Sequence, residues 1–156
     1  MPRDESKPAP LDEISKHIIS ELQQDGRRSY AAIGKAVGLS EAAVRQRVQR
    51  LTDAGVMQIV AVTDPIQLGF AREAMIGIRV TGSIDPVAKA LVALDQVSYV
   101  VVTAGSVDLL VEVVCENDED VLDLINNQIR SIPGVLSTET FMYLRLDKQT
   151  YTWGVR

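Results

Sequence analysis

Five arginine and glutamine side chains stand within six residues of one short segment of the chain. They are Arg45, Gln46, Arg47, Gln49 and Arg50. Guanidinium and carboxamide groups offer the paired hydrogen-bond donors and acceptors that match base edges, and guanidinium groups also bind phosphates. These residue types can therefore recognise a nucleic-acid duplex. A solvated helix face that binds nothing has a similar composition, so the elements around the segment must distinguish the two interpretations.

The apolar residues of this segment have helical spacing. Val44, Val48 and Leu51 fall four and three residues apart, Ser40 is a suitable N-cap, and Gly55 is a suitable stop. If the three apolar residues face a core, most of the arginine and glutamine side chains lie on the opposite face of the helix.

Two more helices are predicted before this one. Apolar residues recur at spacings of three and four over residues 11–22, and a second helix over residues 30–37 begins after Ser29. Only "GLS" separates the second helix from the third. Two short helices around a glycine-containing turn are the signature of a helix-turn-helix, which favours the DNA-binding interpretation.

The charge of the chain is unevenly distributed, although the net charge is −5. Residues 1–56 contain nine Lys and Arg against eight Asp and Glu, whereas residues 57–156 contain seven against thirteen. A near-neutral half with clustered arginines, joined to an acidic half, is compatible with a nucleic-acid module attached to another domain.

The second half of the chain has a different residue composition and pattern. The segment "VMQIVAVTD" is rich in β-branched residues and predicts a strand, and a linker with Pro65 and Gly69 follows it. Asp85 is predicted to cap a helix that has Pro86 at its first position. The order β-α-β-β-α-β predicts a ferredoxin-like α+β domain. Its predicted strands are 74–82, 97–105, 107–116 and 135–146, and its predicted helices are 85–94 and 118–132.

The strands are apolar on both sets of alternating positions. Residues 100–102 and 109–111 are apolar without interruption, although the helices of such a domain cover only one face of the sheet. An exposed apolar face of this size would promote association with other molecules. We therefore predict an obligate homodimer that assembles further to a tetramer or octamer.

Several classes of protein and of site are disfavoured by composition. No apolar run is long enough to span a bilayer, no signal-peptide pattern is visible, and a lone Cys115 suits a reducing compartment, so we expect a cytoplasmic protein. His17 and Cys115 are too few for a zinc site, and the acidic run "ENDEDVLD" fits helix capping better than a calcium loop. No nucleophile-base pair or phosphate-binding glycine loop is present, which predicts no enzyme, no metal and no cofactor.

Three segments together resemble the Lrp/AsnC, or feast/famine, family of bacterial and archaeal transcriptional regulators. They are "LDEISKHIISEL", "DGRRSYAAIGKAVGLSEAAVRQRVQRLTDAGVM", and "TAGSVDLLVEV" with the later "IPGVLSTETFMYL". Ser15 departs from the pattern, since the family usually has a second acidic residue there. The resemblance implies a winged helix-turn-helix, a hinge strand, and a βαββαβ domain that dimerises and senses amino acids or related metabolites.

The resemblance also implies site residues. Double-stranded operator DNA would contact Arg27, Ser29 and Tyr30 near its phosphates, and Ser40, Arg45, Gln46 and Gln49 in its major groove. Arg47 and Arg50 are better candidates for DNA-backbone contacts or for intramolecular pairing.

The turn "TAGSVD" is similar to the Gly-x-x-Asp turn of the family, which would bind the effector. The residues implied are Thr103, Gly105, Ser106 and Asp108, with Thr140 and Met142 on the last strand. A purely structural turn remains an alternative, in which Gly105 permits the bend and Asp108 is a turn residue.

These inferences divide the chain into five segments and leave two other functions open. The segments are a disordered leader (1–10), the helix-turn-helix (11–56), a hinge and linker (57–72), the sensor domain (73–147) and a tail (148–156). An architectural DNA-wrapping protein without an effector would share all of them. An enzyme like the sirohaem decarboxylases is disfavoured because the chain has only one His. A nucleoid-associated location in a bacterium or archaeon follows from the resemblance.

Overall fold

The computed structural model describes residues 11–155, so the predicted leader at 1–10 lies outside the described residues. The chain divides into two compact units. The first contains the described residues up to Ala61 together with those from Lys148 onward, and the second is Val62–Asp147. Each unit has a hydrophobic core of its own.

The first unit consists of three helices with side-chain caps. The predicted caps are confirmed: Ser29 Oγ accepts from the N–H of Ala32, and Ser40 Oγ accepts from the N–H of Ala43, both at 3.2 Å. The helices are α1 (Glu13–Gln24), α2 (Tyr30–Val37) and α3 (Glu41–Asp53).

Two glycines make the turn between α2 and α3 possible. Gly38 ends α2 with a φ of 74°, in the left-handed region that glycine adopts at low cost. At Gly34 a Cβ would come within 2.5 Å of the carbonyl oxygen of Leu39, so only glycine lets α2 approach the turn this closely. The predicted helix-turn-helix is confirmed.

The core of this unit is small. Its buried members are Ile18, Leu22, Ile33, Val44 and Val48. Burial of one such side chain contributes about 1.5–3 kcal/mol, so a few residues from three helices account for much of the stability of the unit.

The strand predicted at "VMQIVAVTD" is wrong for the single chain. Residues 57–64 have no β-structure, and no wing strand occurs among the described residues of the first unit. Ile59, Val60 and Val62 are 49%, 66% and 57% exposed. A strand requires a neighbouring backbone to satisfy its N–H and C=O groups, and β-branched composition alone does not supply one.

The second unit is a four-stranded antiparallel sheet in the order β2-β3-β1-β4 with helices on one face. The element order confirms the predicted βαββαβ domain. Its elements are β1 (Arg72–Val80), α4 (Ile84–Val92), β2 (Val97–Val102), β3 (Leu109–Cys115), α5 (Asp118–Asp123, continued by a π-helix at Leu124–Ile129) and β4 (Val135–Met142). No helix of residues 11–155 has the length and apolarity needed to cross a membrane.

The start of α4 differs from the prediction. Ser83 is the N-cap residue, without a side-chain cap bond, and Asp85 and Pro86 lie inside the first turn. The backbone N–H groups of a first turn have no intrahelical acceptor, so proline is tolerated there at more than one position. Asp85 still places negative charge near the positive end of the helix dipole.

The two faces of the sheet differ in whether helices pack against them. Ala74, Ile76 and Ile78 alternate along β1 and belong to the main core beneath the helices. Their neighbours point to the opposite, open face, where Tyr99 and Phe141 are 52% and 50% exposed. Among the described residues, the open face therefore carries large apolar side chains that are half exposed.

Candidate functional site

The outer face of α3 carries the arginine and glutamine side chains. Val44 and Val48 are buried, whereas Arg45, Gln46 and Gln49 are exposed. The helix therefore presents this polar face away from its core, as its periodicity predicts.

Arg45 is held between two neighbours. Its Nη2 donates to Glu41 Oε1 at 2.9 Å, and its guanidinium carbon lies 5.2 Å from the centre of the Tyr30 ring. Stacking on an aromatic ring limits the rotamers of the arginine and leaves other guanidinium N–H groups available. Tyr30 thereby links the start of α2 to the polar face of α3.

The remaining polar residues of the face differ in how firmly they are held. Gln49 Nε2 donates to Asp53 Oδ1 at 2.8 Å, which leaves its carboxamide oxygen available as an acceptor. Gln46 and Arg50 are exposed.

Arg47 points back into the unit. Its Nη1 donates to Asp12 Oδ2 at 2.6 Å and to Ser15 Oγ at 3.1 Å, and its side chain is 23% exposed. The hydrogen bond from Arg47, followed by those from Ser15, holds the pKa of Asp12 well below its usual range. Of the two predicted roles for Arg47, the geometry favours intramolecular pairing, which ties α3 to the start of α1.

We expect Arg47→Ala to lower the thermal unfolding midpoint of the first unit at pH 7 more than Arg50→Ala does. The pKa of Asp12 is depressed by folding, so the stabilisation is present above its unfolded value near 3.8 and is lost as pH falls through the folded value. Melting curves at pH 7 and pH 2.5 measure this difference. An equal effect of Arg47→Ala at both pH values would contradict the pairing.

The start of α2 carries further groups that can contact an anion. Arg27 and Ser29 are exposed, and Ser29 caps a helix whose N-terminus attracts anions. Arg28 is instead held by Glu21, with 2.5 Å between Nη1 and Oε2. Sequence reasoning did not anticipate this pair, because Arg28 lies in the connection between α1 and α2, where helical spacing does not relate it to Glu21.

The second candidate site is the turn between β2 and β3. The N–H of Thr103 donates to the carbonyl of Asp108 at 2.9 Å, and Thr103 Oγ1 donates to the carbonyl of Val107 at 2.6 Å. Asp108 Oδ2 accepts from the N–H of Val80 at 2.8 Å, where the pairing of β1 with β4 shifts register. Asp108 thus stabilises the end of β1, in agreement with the structural alternative.

Gly105 does not have the conformation that requires a glycine. Its φ is not positive, and a Cβ built on it would meet nothing within 4 Å. The bend itself therefore does not explain the glycine, and close approach of another molecule to the backbone remains as a reason.

A cavity of about 240 Å³ adjoins this turn. The Nε of Arg79 donates to the carbonyl of Ser106 at 2.8 Å, and Glu139 supplies the opposite charge at the rim. The cavity is lined by Gly77, Arg79, Ser106, Val107, Ser137, Thr138 and Glu139. A ligand with one cationic and one anionic group finds a counterpart for each here.

The structure brings together some of the predicted effector residues and separates others. Ser106 lines the cavity, but Thr140 and Met142 do not. They pair with Ile76 and Ala74, whose side chains face the helices. Sequence reasoning missed Arg79 and residues 137–139. The pairing of β1 with β4 places Arg79, Ser137 and Glu139 on the open face.

Two family models match the chain. An AsnC-type helix-turn-helix domain matches residues 11–52, and an AsnC-type C-terminal dimeric α+β barrel domain matches residues 71–156. The HTH-type transcriptional regulator FL11 of Pyrococcus horikoshii is 37% identical over 146 residues, which cover 90% of this chain and 94% of that protein. The chain belongs to the Lrp/AsnC family of transcriptional regulators. The resemblance noted from the sequence is thereby confirmed.

Other members of the Lrp/AsnC family are similar over most of their length. The regulatory protein AsnC of Escherichia coli is 29% identical over 138 residues, covering 86% of this chain and 91% of that protein. The leucine response regulatory protein of Mycobacterium tuberculosis superposes with a TM-score of 0.82 at 27% identity, covering 89% of this chain and 96% of that one. A Neisseria meningitidis regulator solved as a complex with L-Met shares the fold, with a TM-score of 0.79 at 22% identity over 90% of this chain and 94% of that one.

This Lrp/AsnC regulator has no group of three or more His, Cys, Asp or Glu residues that could hold a metal ion within residues 11–155. The Pyrococcus horikoshii relative is named a transcriptional regulator, and the Escherichia coli relative is named a regulatory protein.

Proposed function

We propose that this Lrp/AsnC regulator binds operator DNA sequence-specifically, with the outer face of α3 in the major groove. The observation that carries the proposal is the exposed set of Arg45, Gln46 and Gln49 on a helix whose opposite face is buried. An α-helix fits the major groove, where arginine and glutamine can bond to base edges.

Contacts to phosphates would fix the register of the helix on DNA. Arg27 and Ser29 stand at the N-terminus of α2, where backbone N–H groups and the helix dipole favour an anion. Tyr30 holds Arg45 in place, and Ser40 at the start of α3 can add a hydroxyl contact. Arg50 is the remaining exposed candidate for the DNA backbone.

We propose a homodimer that joins the open sheet faces of two copies, with assembly to a tetramer or octamer. The family model of the C-terminal domain is described as dimeric, and Tyr99 and Phe141 on the open face are half exposed. A second copy would bury this apolar surface and place two copies of α3 on one duplex.

We further propose that an amino acid or related metabolite binds at the turn of residues 103–108 and the adjoining cavity. Arg79 and Glu139 provide charges for a carboxylate and an ammonium group, and Gly105 allows close approach to the backbone. A regulator with the same fold was solved with L-Met bound, which supports a ligand of this class.

We expect Gly105→Ala to weaken effector binding at least tenfold without changing the thermal unfolding midpoint. A Cβ at Gly105 fits the unliganded chain but would occupy space that the ligand backbone needs. Calorimetric titration with the twenty amino acids measures binding in the wild type and in the variant.

Asp108→Asn serves as a second variant, because its carboxamide oxygen can still accept from the Val80 N–H while the negative charge that an ammonium group would meet is removed. Lys89→Ala, on the helical side of the same domain, is the matched control and should bind as the wild type does. Identical effector affinity in Gly105→Ala and the wild type would exclude this turn. Absence of binding by any amino acid would favour an architectural protein, which shares the helix-turn-helix.

DNase footprinting at the protein's own promoter, with and without amino acids, separates the two functions. A regulator gives a defined footprint that changes with effector, whereas an architectural protein gives extended protection that does not change. DNA binding would place the protein in the cytoplasm, on the nucleoid.

A further inference from the structure

Two carboxylates and a phenol form a cluster on the open sheet face. Glu112 pairs with Met75 across β3 and β1, and both positions alternate with core residues, so Glu112 points to the open face. Glu73 lies two residues before Met75 on the same face. Tyr143 lies beside Glu73, since its N–H donates to the Glu73 carbonyl at 2.9 Å.

The two carboxylates have different hydrogen-bond environments. Tyr143 Oη donates to Glu112 Oε1 at 2.9 Å, and Ser98 Oγ donates to Glu112 Oε2 at 3.2 Å. Glu73 accepts no side-chain hydrogen bond from the residues that the structure describes. Of the two carboxylates, Glu73 is therefore the one that has no side-chain donor to stabilise its charge.

No nearby cation compensates the pair. Within residues 11–155, no Lys, Arg or His nitrogen lies within 4.0 Å of either carboxylate. The acidic groups that act on Glu73 are Glu112 on β3 and Asp64 on the preceding segment, and Tyr143, directly after β4, flanks it. Burial, then the charges of Glu112 and Asp64, raise the pKa of Glu73 above its ordinary value.

Among the described residues, Tyr99 adjoins the cluster on this face, whereas Glu139 and Arg79 lie farther along the sheet. Tyr99 on β2 pairs with Glu112, and Glu139 pairs with Gly77, four residues along β1 from Glu73. Arg79 is six residues from Glu73 on β1, about 20 Å along the strand, and the Ser106 carbonyl holds its Nε.

We propose that dimerisation through the open face takes up protons at Glu73, so that the dimer is tighter at lower pH. The inference rests on the proposed dimer. A second copy over the cluster would remove water from two like charges that have no cation beside them, and protonation of Glu73 relieves both the repulsion and the cost of burial.

The direction of the pH dependence follows from linkage. Glu73 has a raised pKa in the folded chain, and further burial raises it again, so the dimer binds more protons than two separate protomers. The association constant is greatest at low pH and falls as pH rises from the raised pKa of Glu73 in the separate protomer to its still higher pKa in the dimer. With one proton per protomer, the limit is about a hundredfold per pH unit.

Sedimentation equilibrium at pH 5, 6, 7 and 8, at fixed ionic strength, tests the proposal on the full chain. A fixed sub-denaturing urea concentration keeps the equilibrium in a measurable range. The wild-type dissociation constant is expected to rise with pH by at least tenfold over this range. Glu73→Gln imitates the protonated form and is expected to dimerise tightly with little pH dependence.

Glu119→Gln is the matched control, since it removes an exposed carboxylate from the helical side of the same domain, and it should keep the wild-type pH slope. A pH-independent wild-type dimer, or the same slope in Glu73→Gln, would overturn the inference and leave the proposed dimer intact. Tighter association at higher pH would also overturn it, because it would mean that Glu73 meets a cation of the partner. A monomer at every pH would overturn the dimer itself.

Discussion

A chain carrying both Arg45→Ala and Gln49→Ala is expected to bind its operator about a hundredfold or more weakly than the wild type does. Each specific contact to a base contributes about 1–3 kcal/mol, and tenfold in affinity corresponds to about 1.4 kcal/mol. Both side chains project from the exposed face of α3, and each is held there by a neighbour, at 2.9 Å from Glu41 and 2.8 Å from Asp53. Their removal leaves the core of the unit unchanged.

Gel-shift titration at constant salt measures this loss. The comparison with an unrelated duplex of equal length is essential, because base contacts affect specific binding while phosphate contacts affect both duplexes. Lys89→Ala removes an exposed cation from the other unit and is the matched control. Unchanged operator affinity in the double variant would contradict the assignment of α3 as the recognition helix.

The second large effect concerns stability. Ile33→Ala is expected to destabilise the helix-turn-helix unit by about 2–5 kcal/mol, because Ile33 is fully buried and the core around it has only four other buried members. A unit of this size has little stability in reserve, so specific DNA binding should be lost at physiological temperature. The second unit has a separate core and is expected to remain folded.

Differential scanning calorimetry and near-ultraviolet circular dichroism follow the two units. Leu91→Ala is the reciprocal variant, because Leu91 is fully buried in the core of the sheet domain. We expect Ile33→Ala and Leu91→Ala to shift different transitions. If both variants lower one common transition by the same amount, the two units unfold together and the expectation of independent stability is wrong.

The features that were predicted best from the sequence are those that depend on contacts between residues close together in the chain. Ser29 and Ser40 cap their helices as expected, because the hydroxyl oxygen of a cap meets a backbone N–H three residues ahead. The apolar periodicity of Val44, Val48 and Leu51 oriented α3 correctly, since a helix has a fixed number of residues per turn. The βαββαβ order was predicted from β-branched apolar segments and capped helical segments that follow one another along the chain.

The predictions that were wrong concern elements whose structure is not decided by their own local sequence. Residues 57–64 have the composition of a strand, but the single chain offers them no neighbouring strand. The helix predicted at 118–132 begins as expected after Asn117 but changes to π-helical pairing at Leu124, which its composition does not signal.

Only part of the candidate ligand site could be predicted from the sequence. The turn of residues 103–108 is local and was recognised, but the cavity beside it also needs Arg79 and Glu139. Their proximity depends on the register of β1 against β4, including the irregularity at Arg79 and Val80. Register is set by pairing across the sheet, so no local pattern revealed these residues.

The most direct test of the proposed DNA contact is affinity cleavage from residue 46. Gln46→Cys is labelled with an iron chelate and bound to the protein's own promoter, and the positions of strand cleavage are mapped. Cys115 is the single cysteine, it is 2% exposed, and burial raises the pKa of its thiol, so the wild-type chain serves as a labelling control. We expect cleavage confined to the footprint, in two symmetric clusters that Lys89→Cys does not produce. Cleavage from residue 46 that is absent, or no more localised than from residue 89, would contradict the placement of α3 against the duplex.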